Sequence, residues 1–381
     1  LSMLTVEQNA KLQSLDQALH AMVQGIDILD SVAPINYQEE RARFFAGNAT
    51  ENPNFLYKEN QFNVFAKKRE LYQLPVETLG DDDLTRLYSE VIESYADKLD
   101  QFRSVGSEQF MYDSLRYYGE PSDKDIRNAQ FVLHVPDSLS KSSGSLLNAD
   151  AIVAQMHEFA QTHGYRYELV VDGSMIANAL VSGTKVKINA AASLGEKEVA
   201  ALAHHELGVH LVTTLNAQTQ PLKVLSLGSP VNTTSQEGIA ILCEFLSGNL
   251  TVSRLKILAL RVLAVKSMLD ERDFKRTYHM LLEQYNVSEQ LAFTITARVY
   301  RGGGFTKDYL YLKGFHQILH AYETRDDFIN LLSGKVSLEQ LDVVTSLINK
   351  SILKAPSYIS PAIEKPQKLG EIERFLSLSI K

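Results

Sequence analysis

Apolar residues along this chain recur mostly at helical spacing. Over residues 5–30, Leu12, Leu15, Leu19, Met22, Ile26 and Leu29 form one stripe, which predicts a helix. A polar stretch with Asn and Pro through 46–60 interrupts the pattern. Asp81, Asp82 and Asp83 then offer a cap and dipole partners for a helix over 82–103. Two shorter helices are expected near 107–118 and 122–132. Residues 1–130 thus read as a helical region.

The pattern changes after a serine-rich loop over 138–145. A helix over 149–162 leads through Gly164 into three strand-like runs, 165–171, 176–181 and 185–189. Asp172-Gly173 and Gly183 supply turn signals between them. A small, mostly antiparallel sheet is the simplest reading. Ser193 to Glu196 fits a capping box and opens the helix that carries His205. From 235 onward, helices are expected over 235–247, 252–269, 272–285, 287–299, 307–322 and 337–353. The expected fold is α+β and mostly helical. It divides into a helical region, 1–130, and a second region, 131–381.

Composition narrows the function. The 381 residues are 45% hydrophobic and 22% charged, which is ordinary for a folded globular chain. A net charge of −8 argues against general nucleic-acid binding. Cys243 is the single cysteine, so no intramolecular disulfide can form and any metal must be held by His and carboxylates. The most apolar stretch, 255–269, is broken by Lys256, Arg261 and Lys266 and does not fit a membrane span. No leader pattern opens the chain, and Leu1-Ser2 ahead of Met3 reads as an expression remnant. A cytoplasmic protein without membrane or nucleic-acid partners is expected, and sequons such as the one at Asn48 are expected to be chance.

One segment carries chemistry. His205-Glu206-Leu-Gly-Val-His210 places two imidazoles and a carboxylate on one predicted helix, a metal-hydrolase arrangement. Two neutral imidazoles bind Zn²⁺, and the adjacent Glu206 takes a proton from water as general base. The common spacing puts the histidines at i and i+4, about 40° apart around a helix. Here they stand at i and i+5, about 140° apart in a regular helix, too far to share an ion. A widened turn over 206–210 is therefore expected, eased by Gly208, a weak helix former. His204 competes as first ligand, but i+6 fits worse.

Two histidines leave zinc short of ligands. Glu237 supplies a third, from the first turn of a helix capped within 233–235. Gly238 and Ala240 beside it permit close helix packing. Glu244, seven residues on, shares the face of Glu237 and could orient a ligand histidine. Other histidines are weaker candidates. His157 and His163 have i, i+6 spacing and are expected at the surface. His316 and His320 have i, i+4 spacing but no adjacent carboxylate.

Further on, Arg298, Arg301, Lys307 and Lys313 cluster around glycines 302–304. Arg binds a carboxylate bidentately and Lys as a point charge. The glycines could let backbone approach a substrate closely; the alternative is a solvated basic turn. Tyr300, Tyr309 and Tyr311 are candidate donors to an oxyanion.

Three separated motifs together resemble one family. They are His205-Glu206-Leu-Gly-Val-His210, Gln236-Glu237-Gly238-Ile239-Ala240, and Arg301-Gly-Gly-Gly-Phe-Thr-Lys307-Asp308 with Tyr311-Leu-Lys-Gly314. They look like the H-E-x-x-x-H and Q-E-G-L-A motifs of the QEGLA proteins, whose animal members are microtubule-associated tyrosine carboxypeptidases. Ile239 stands where the motif has Leu. The resemblance spans roughly 130–355 and implies a zincin-like zinc carboxypeptidase, its small antiparallel sheet packed on the metal-binding helix. It implies His205, His210 and Glu237 as zinc ligands and Glu206 as general base. Arg298, Arg301, Lys307 and Tyr311 would bind the substrate, and Glu244 would support a ligand. The i, i+5 pair is also similar to the dipeptidyl peptidase III pattern. The expected partner is the C-terminus of a peptide or protein. A tubulin substrate is not carried over, because residues 1–130 lack a basic arm. An aminopeptidase, a dipeptidyl peptidase and a non-catalytic metal-containing regulator remain open alternatives.

Overall fold

The computed structural model describes residues 4–136, 144–228, 232–367 and 370–380. Much of the expected serine-rich loop lies outside them. Seven helices come first: α1 (Val6–Val23), α2 (Ile28–Val32), α3 (Tyr37–Ala46), α4 (Val64–Tyr72), α5 (Asp82–Ser104), α6 (Gln109–Tyr118) and α7 (Asp123–Leu133). The single helix expected over 5–30 is two, because Gly25 at φ +81° ends the first and Asp27 caps the second. Asp81 caps α5 through its carboxylate to the Leu84 amide, as its sequence predicts. Helices α3 and α4 have no counterpart in the sequence reading. Each is short and buries only two or three side chains.

Helix α8 (Ala149–His163) precedes β1 (Glu168–Asp172), β2 (Ala179–Ser182) and β3 (Lys185–Asn189). The sheet is mixed, not antiparallel. Its order is β1-β3-β2, with β3 parallel to β1 and antiparallel to β2. The β2–β3 hairpin turns at Gly183, and the chain between β1 and β2 crosses so that β3 pairs on both sides. Helix α9 (Glu196–His205) starts later than the capping box predicts: the Gly195 amide donates to the Glu198 carboxylate at 3.4 Å. A π-turn (Glu206–Leu211) joins α9 to α10 (Val212–Thr219).

The remainder is helical: α11 (Asn232–Leu246), α12 (Val252–Glu271), α13 (Phe274–Tyr285), α14 (Glu289–Tyr300), α15 (Leu310–Thr324), α16 (Leu341–Asn349), α17 (Pro361–Glu364) and α18 (Glu371–Ser379). Helix α11 begins at Asn232, so Thr233, Thr234 and Ser235 lie inside its first turn rather than capping it.

Two apolar cores result. The larger runs from Leu12 to Ile380 and is built almost wholly from helices. The smaller joins α8, the sheet and α9–α10 through Ile152, Met156, Val186, Ile188, Val199 and Leu215. The π-turn lies on their boundary. Leu207 and Leu211 belong to the small core and Val209 to the large one. The sheet therefore packs on the helix that carries the histidines, as expected.

Helices α11 and α15 cross at a pair of glycines. A Cβ on Gly238 would collide with the Gly314 carbonyl, and one on Gly314 with the Thr234 carbonyl. Only hydrogen at both positions lets the backbones meet. That contact brings Glu237, next to Gly238, against the segment leading into α15.

Candidate metal centre

The widened turn does what the i, i+5 spacing requires. Its six residues shift the backbone register and turn His210 to the face of His205. The two rings lie 5.0 Å apart between centroids. Glu237 closes the group: His205, His210 and Glu237 each place one ligand atom within 4.8 Å of the others. The Glu237 carboxylate bridges the imidazoles, with Oε2 3.3 Å from His205 Nε2 and Oε1 3.5 Å from His210 Nε2. His204 is not part of this set. Its ring sits edge-on to Phe159 at 5.0 Å, and burial pushes its pKa down to about 4.

His205 is oriented from behind. Its Nδ1 meets Glu244 Oε2 at 2.8 Å, leaving Nε2 for the centre. Glu244 is fixed in turn by Arg254, whose Nε and Nη2 reach it at 3.1 and 3.3 Å. Burial would raise the Glu244 pKa, but Arg254 and His205 hold it below the usual carboxylate range. Glu206 lies 3.9 Å from His205 Nε2. Burial raises its pKa, with the two histidines opposing, so this carboxylate is a stronger base than an exposed one.

The group fits a divalent cation. Burial opposes a charge on His205, yet Glu237, Glu244 and Glu206 around it push its pKa up to about 10. Three carboxylates thus call for positive charge at this point, and two imidazoles plus one carboxylate are the donor set of a catalytic zinc site. Glu237 Oε2 is also buried and, although His205 Nε2 lies 3.3 Å away, the two are not aligned for a hydrogen bond, which leaves an acceptor for a cation.

A basic cluster adjoins the centre. Lys307 Nζ is 3.9 Å from Glu237 Oε1 and donates to the Tyr311 hydroxyl at 2.9 Å. Arg298 donates to the same hydroxyl at 3.3 Å, but its fork is taken by Asp308 at 2.6 and 3.1 Å. Arg301 reaches Asp308 only at 3.8 Å, and its buried Nε has no partner. Burial and the neighbouring Arg298 lower the Arg301 pKa.

The structure also locates residues that the sequence reading passed over. Arg261 stacks on Tyr311 at 5.0 Å, with an unpartnered Nε and a pKa pushed down to about 9 by burial and Arg298. Its spacing within the apolar run 255–269 marked it only as an interruption. Lys335 also lies near the centre, its pKa lowered to about 8 by burial while Glu237 and Glu206 pull it upward.

Other candidates lie elsewhere. Tyr300 bonds Thr277 and the Asp273 amide, Tyr309 bonds the Tyr118 carbonyl, and Lys313 rests over the Tyr309 ring. Glycines 302–304 are not placed for a substrate. Their φ angles are positive, a Cβ on them would collide with Phe110, Ser107 and Met111, and Tyr57 bonds the Gly302 amide. Their role is to seat the loop on α6. His157 pairs with Tyr167, while His316 is half-buried and His320 exposed. Two surface hollows of about 330 and 470 Å³ are lined by other residues, including Glu40 and Thr50 in one and His204 and Gln367 in the other.

The family model described as microtubule-associated tyrosine carboxypeptidase matches residues 42–381. The chain belongs to that family. The match begins within α3 and extends well beyond the stretch holding the three motifs. Membership of the microtubule-associated tyrosine carboxypeptidase family implies a carboxypeptidase-type activity. No curated protein matches the chain. Among the described residues, no helix is long and apolar enough to cross a membrane.

Proposed function

We propose that this protein is a zinc-dependent carboxypeptidase that removes the C-terminal residue of a peptide or protein, with Glu206 as general base. One observation carries the reading. A His₂Glu ligand set lies within 4 Å of a buried lysine that belongs to a cluster of cations. The first half suits hydrolysis of an amide, and the second suits a free terminal carboxylate. The catalytic region is 131–381, with helices of 1–130 packed beside it, and the cytoplasm is its expected place of action.

His205, His210 and Glu237 would hold the zinc, which when bound supplies a Lewis acid and lowers the pKa of water. Glu206, buried and more basic than usual, takes the proton of the attacking water and later passes it to the leaving amine. Glu244 keeps His205 in the tautomer that presents Nε2. Lys307 donates to the terminal carboxylate of the substrate and is aimed there by the Tyr311 hydroxyl, which accepts from it. Arg298 holds Tyr311 from behind, while the unpartnered Nε atoms of Arg261 and Arg301 offer further donors.

A peptide-library digest read by mass spectrometry tests the proposal. Loss of single C-terminal residues is expected from free-acid peptides, suppressed by chelator and by C-terminal amidation. Glu206→Gln should keep the metal and lose hydrolysis. Cleavage indifferent to amidation would sink the carboxypeptidase reading, and wild-type protein that takes up no zinc would sink the metal centre.

A further inference from the structure

Residues 334–338 touch both halves of the metal centre. Lys335 Nζ donates to the His210 carbonyl at 2.9 Å and lies 2.7 Å from Thr213 Oγ1. The same carbonyl accepts the Thr214 and Thr213 hydroxyls at 3.0 and 3.2 Å. The two threonine bonds are the ordinary back-bonds of helical Thr, seen also at Thr162, Thr294, Thr296 and Thr324. That of Lys335 is different: it comes from a distant segment, next to where the i→i+5 register returns to i→i+4.

The next residues bind the other ligand element. The Val336 carbonyl accepts the Gln236 amide at 3.1 Å, and the Leu338 amide donates to Ser235 Oγ at 2.7 Å. Gln236 and Ser235 immediately precede Glu237. The segment is itself anchored. The Lys335 amide donates to the Leu225 carbonyl at 2.6 Å, and Gly334 leaves no room for a Cβ against that backbone. One short segment, distant in sequence from both, therefore fixes the turn of His210 and the first turn of α11.

We propose that residues 334–338 form a strap that sets the separation of His210 and Glu237, with Lys335 and Gln236 as positioning residues of the metal centre. The inference rests on the metal-centre reading given above. Lys335 acts through a backbone carbonyl and needs no contact with substrate. Gln236 thereby gains a role apart from its neighbour Glu237: it ties α11 to the strap.

The test compares Lys335→Met, Lys335→Arg and Gln236→Leu with wild type. Zinc affinity is read by competition with a chelating dye, and thermal melting reports the fold. Hydrogen exchange over 206–214 is followed in metal-free protein. Zinc affinity should fall about 10- to 100-fold in Lys335→Met and Gln236→Leu, the range found for groups that orient metal ligands. Melting should stay within a few degrees of wild type. Exchange over 206–214 should quicken in Lys335→Met, and Lys335→Arg, which keeps a donor, should recover most of the affinity. Zinc affinity within about twofold of wild type in both Lys335→Met and Gln236→Leu would overturn the strap, as would a loss matched by general unfolding. If wild type binds no zinc, the metal reading falls by itself. Exchange then decides the strap: faster over 206–214 in Lys335→Met keeps it, and unchanged exchange removes it.

Discussion

The candidate metal centre and the basic cluster beside it bury charge in opposite ways. At the centre, the carboxylates of Glu206, Glu237 and Glu244 gather around two imidazoles, with Arg254 on Glu244 and the ammonium groups of Lys307 and Lys335 acting on Glu237. The imidazoles and carboxylates converge on one point that suits a cation. In the cluster, Arg261, Arg298 and Arg301 share Asp308 as their buried carboxylate, with Lys307 next to it in the chain. The surplus there is positive, and two guanidinium Nε atoms have no partner. Buried charge is costly unless it is paired, so carboxylates gathered at one point suit a cation and guanidiniums gathered at another suit an anion. The two regions meet at Lys307 and Glu237, 3.9 Å apart.

The largest expected effect tests the negative side. Glu237→Gln keeps the shape of the side chain but removes the charge of the one carboxylate in the candidate ligand set. Zinc binding should weaken at least about 1,000-fold, equivalent to about 4 kcal/mol. Equilibrium dialysis of wild type and variant against zinc measures it. Undiminished uptake would place the ion elsewhere and break the comparison at its first term.

Next comes the carboxylate that holds the positive side together. Asp308 is buried, and Arg298, Arg261 and Arg301 keep its pKa well below the usual carboxylate range against the opposing effect of burial. Asp308→Asn should cost about 3–5 kcal/mol in urea denaturation, because it strands several buried cations. The pH dependence follows from the sign of the shift. A depressed folded pKa contributes stability that is complete above the unfolded value of about 4 and is lost as pH falls toward the folded value. The acid limb of wild-type stability should therefore be steeper below about pH 4 than that of Asp308→Asn.

Lys307→Met separates the two regions, since the lysine belongs to both. Hydrolysis of free-acid peptides should fall about 10- to 100-fold, chiefly through KM, as expected for one lost charged hydrogen bond of about 1.5–3 kcal/mol. Zinc binding should move the other way and tighten a few-fold, because the cation that competes for Glu237 is gone. Parallel losses of metal and activity would show that the lysine serves the metal centre alone.

The negative side was far more legible in the sequence than the positive one. The i, i+5 spacing of His205 and His210 demands a widened turn, and the π-turn is there. The seven-residue spacing of Glu237 and Glu244 puts both on one face of α11, and Glu244 meets His205. Helix periodicity converts such local spacings directly into geometry. The positive side is assembled from α12, α14 and the start of α15, so its partners are set by packing. Arg261 could not be picked out from its own neighbourhood, and Lys335 acts on a carbonyl 125 residues away. Glycines 302–304 misled for the same reason. Their positive φ angles serve contacts with Ser107 and Phe110, which no local pattern announces. The parallel β1–β3 pair was missed because strand order is likewise non-local.

The finest distinction concerns Tyr311, whose hydroxyl is the one acceptor that Lys307 and Arg298 share. Its ring also lies against Arg261 at 5.0 Å and Lys307 at 4.7 Å. Tyr311→Phe deletes the hydroxyl and keeps the ring, so the stacked cations retain their support. Stability should change by about 1 kcal/mol or less, since the freed donors can turn to water or substrate. The informative quantity is how the activity loss divides. A hydroxyl that donates to the oxyanion acts only in the transition state, so kcat and kcat/KM would fall together, by about tenfold or more. A hydroxyl that merely aims Lys307 at the terminal carboxylate would leave kcat nearly intact and raise KM a few-fold. The second outcome is the smaller effect and the one the geometry favours: Lys307 Nζ donates to this oxygen while lying 3.9 Å from Glu237 Oε1. Steady-state kinetics on one free-acid peptide, with Lys307→Met and the double variant alongside, separates the two. In the aiming case Tyr311→Phe adds nothing once the lysine is gone, while in the donor case the losses multiply.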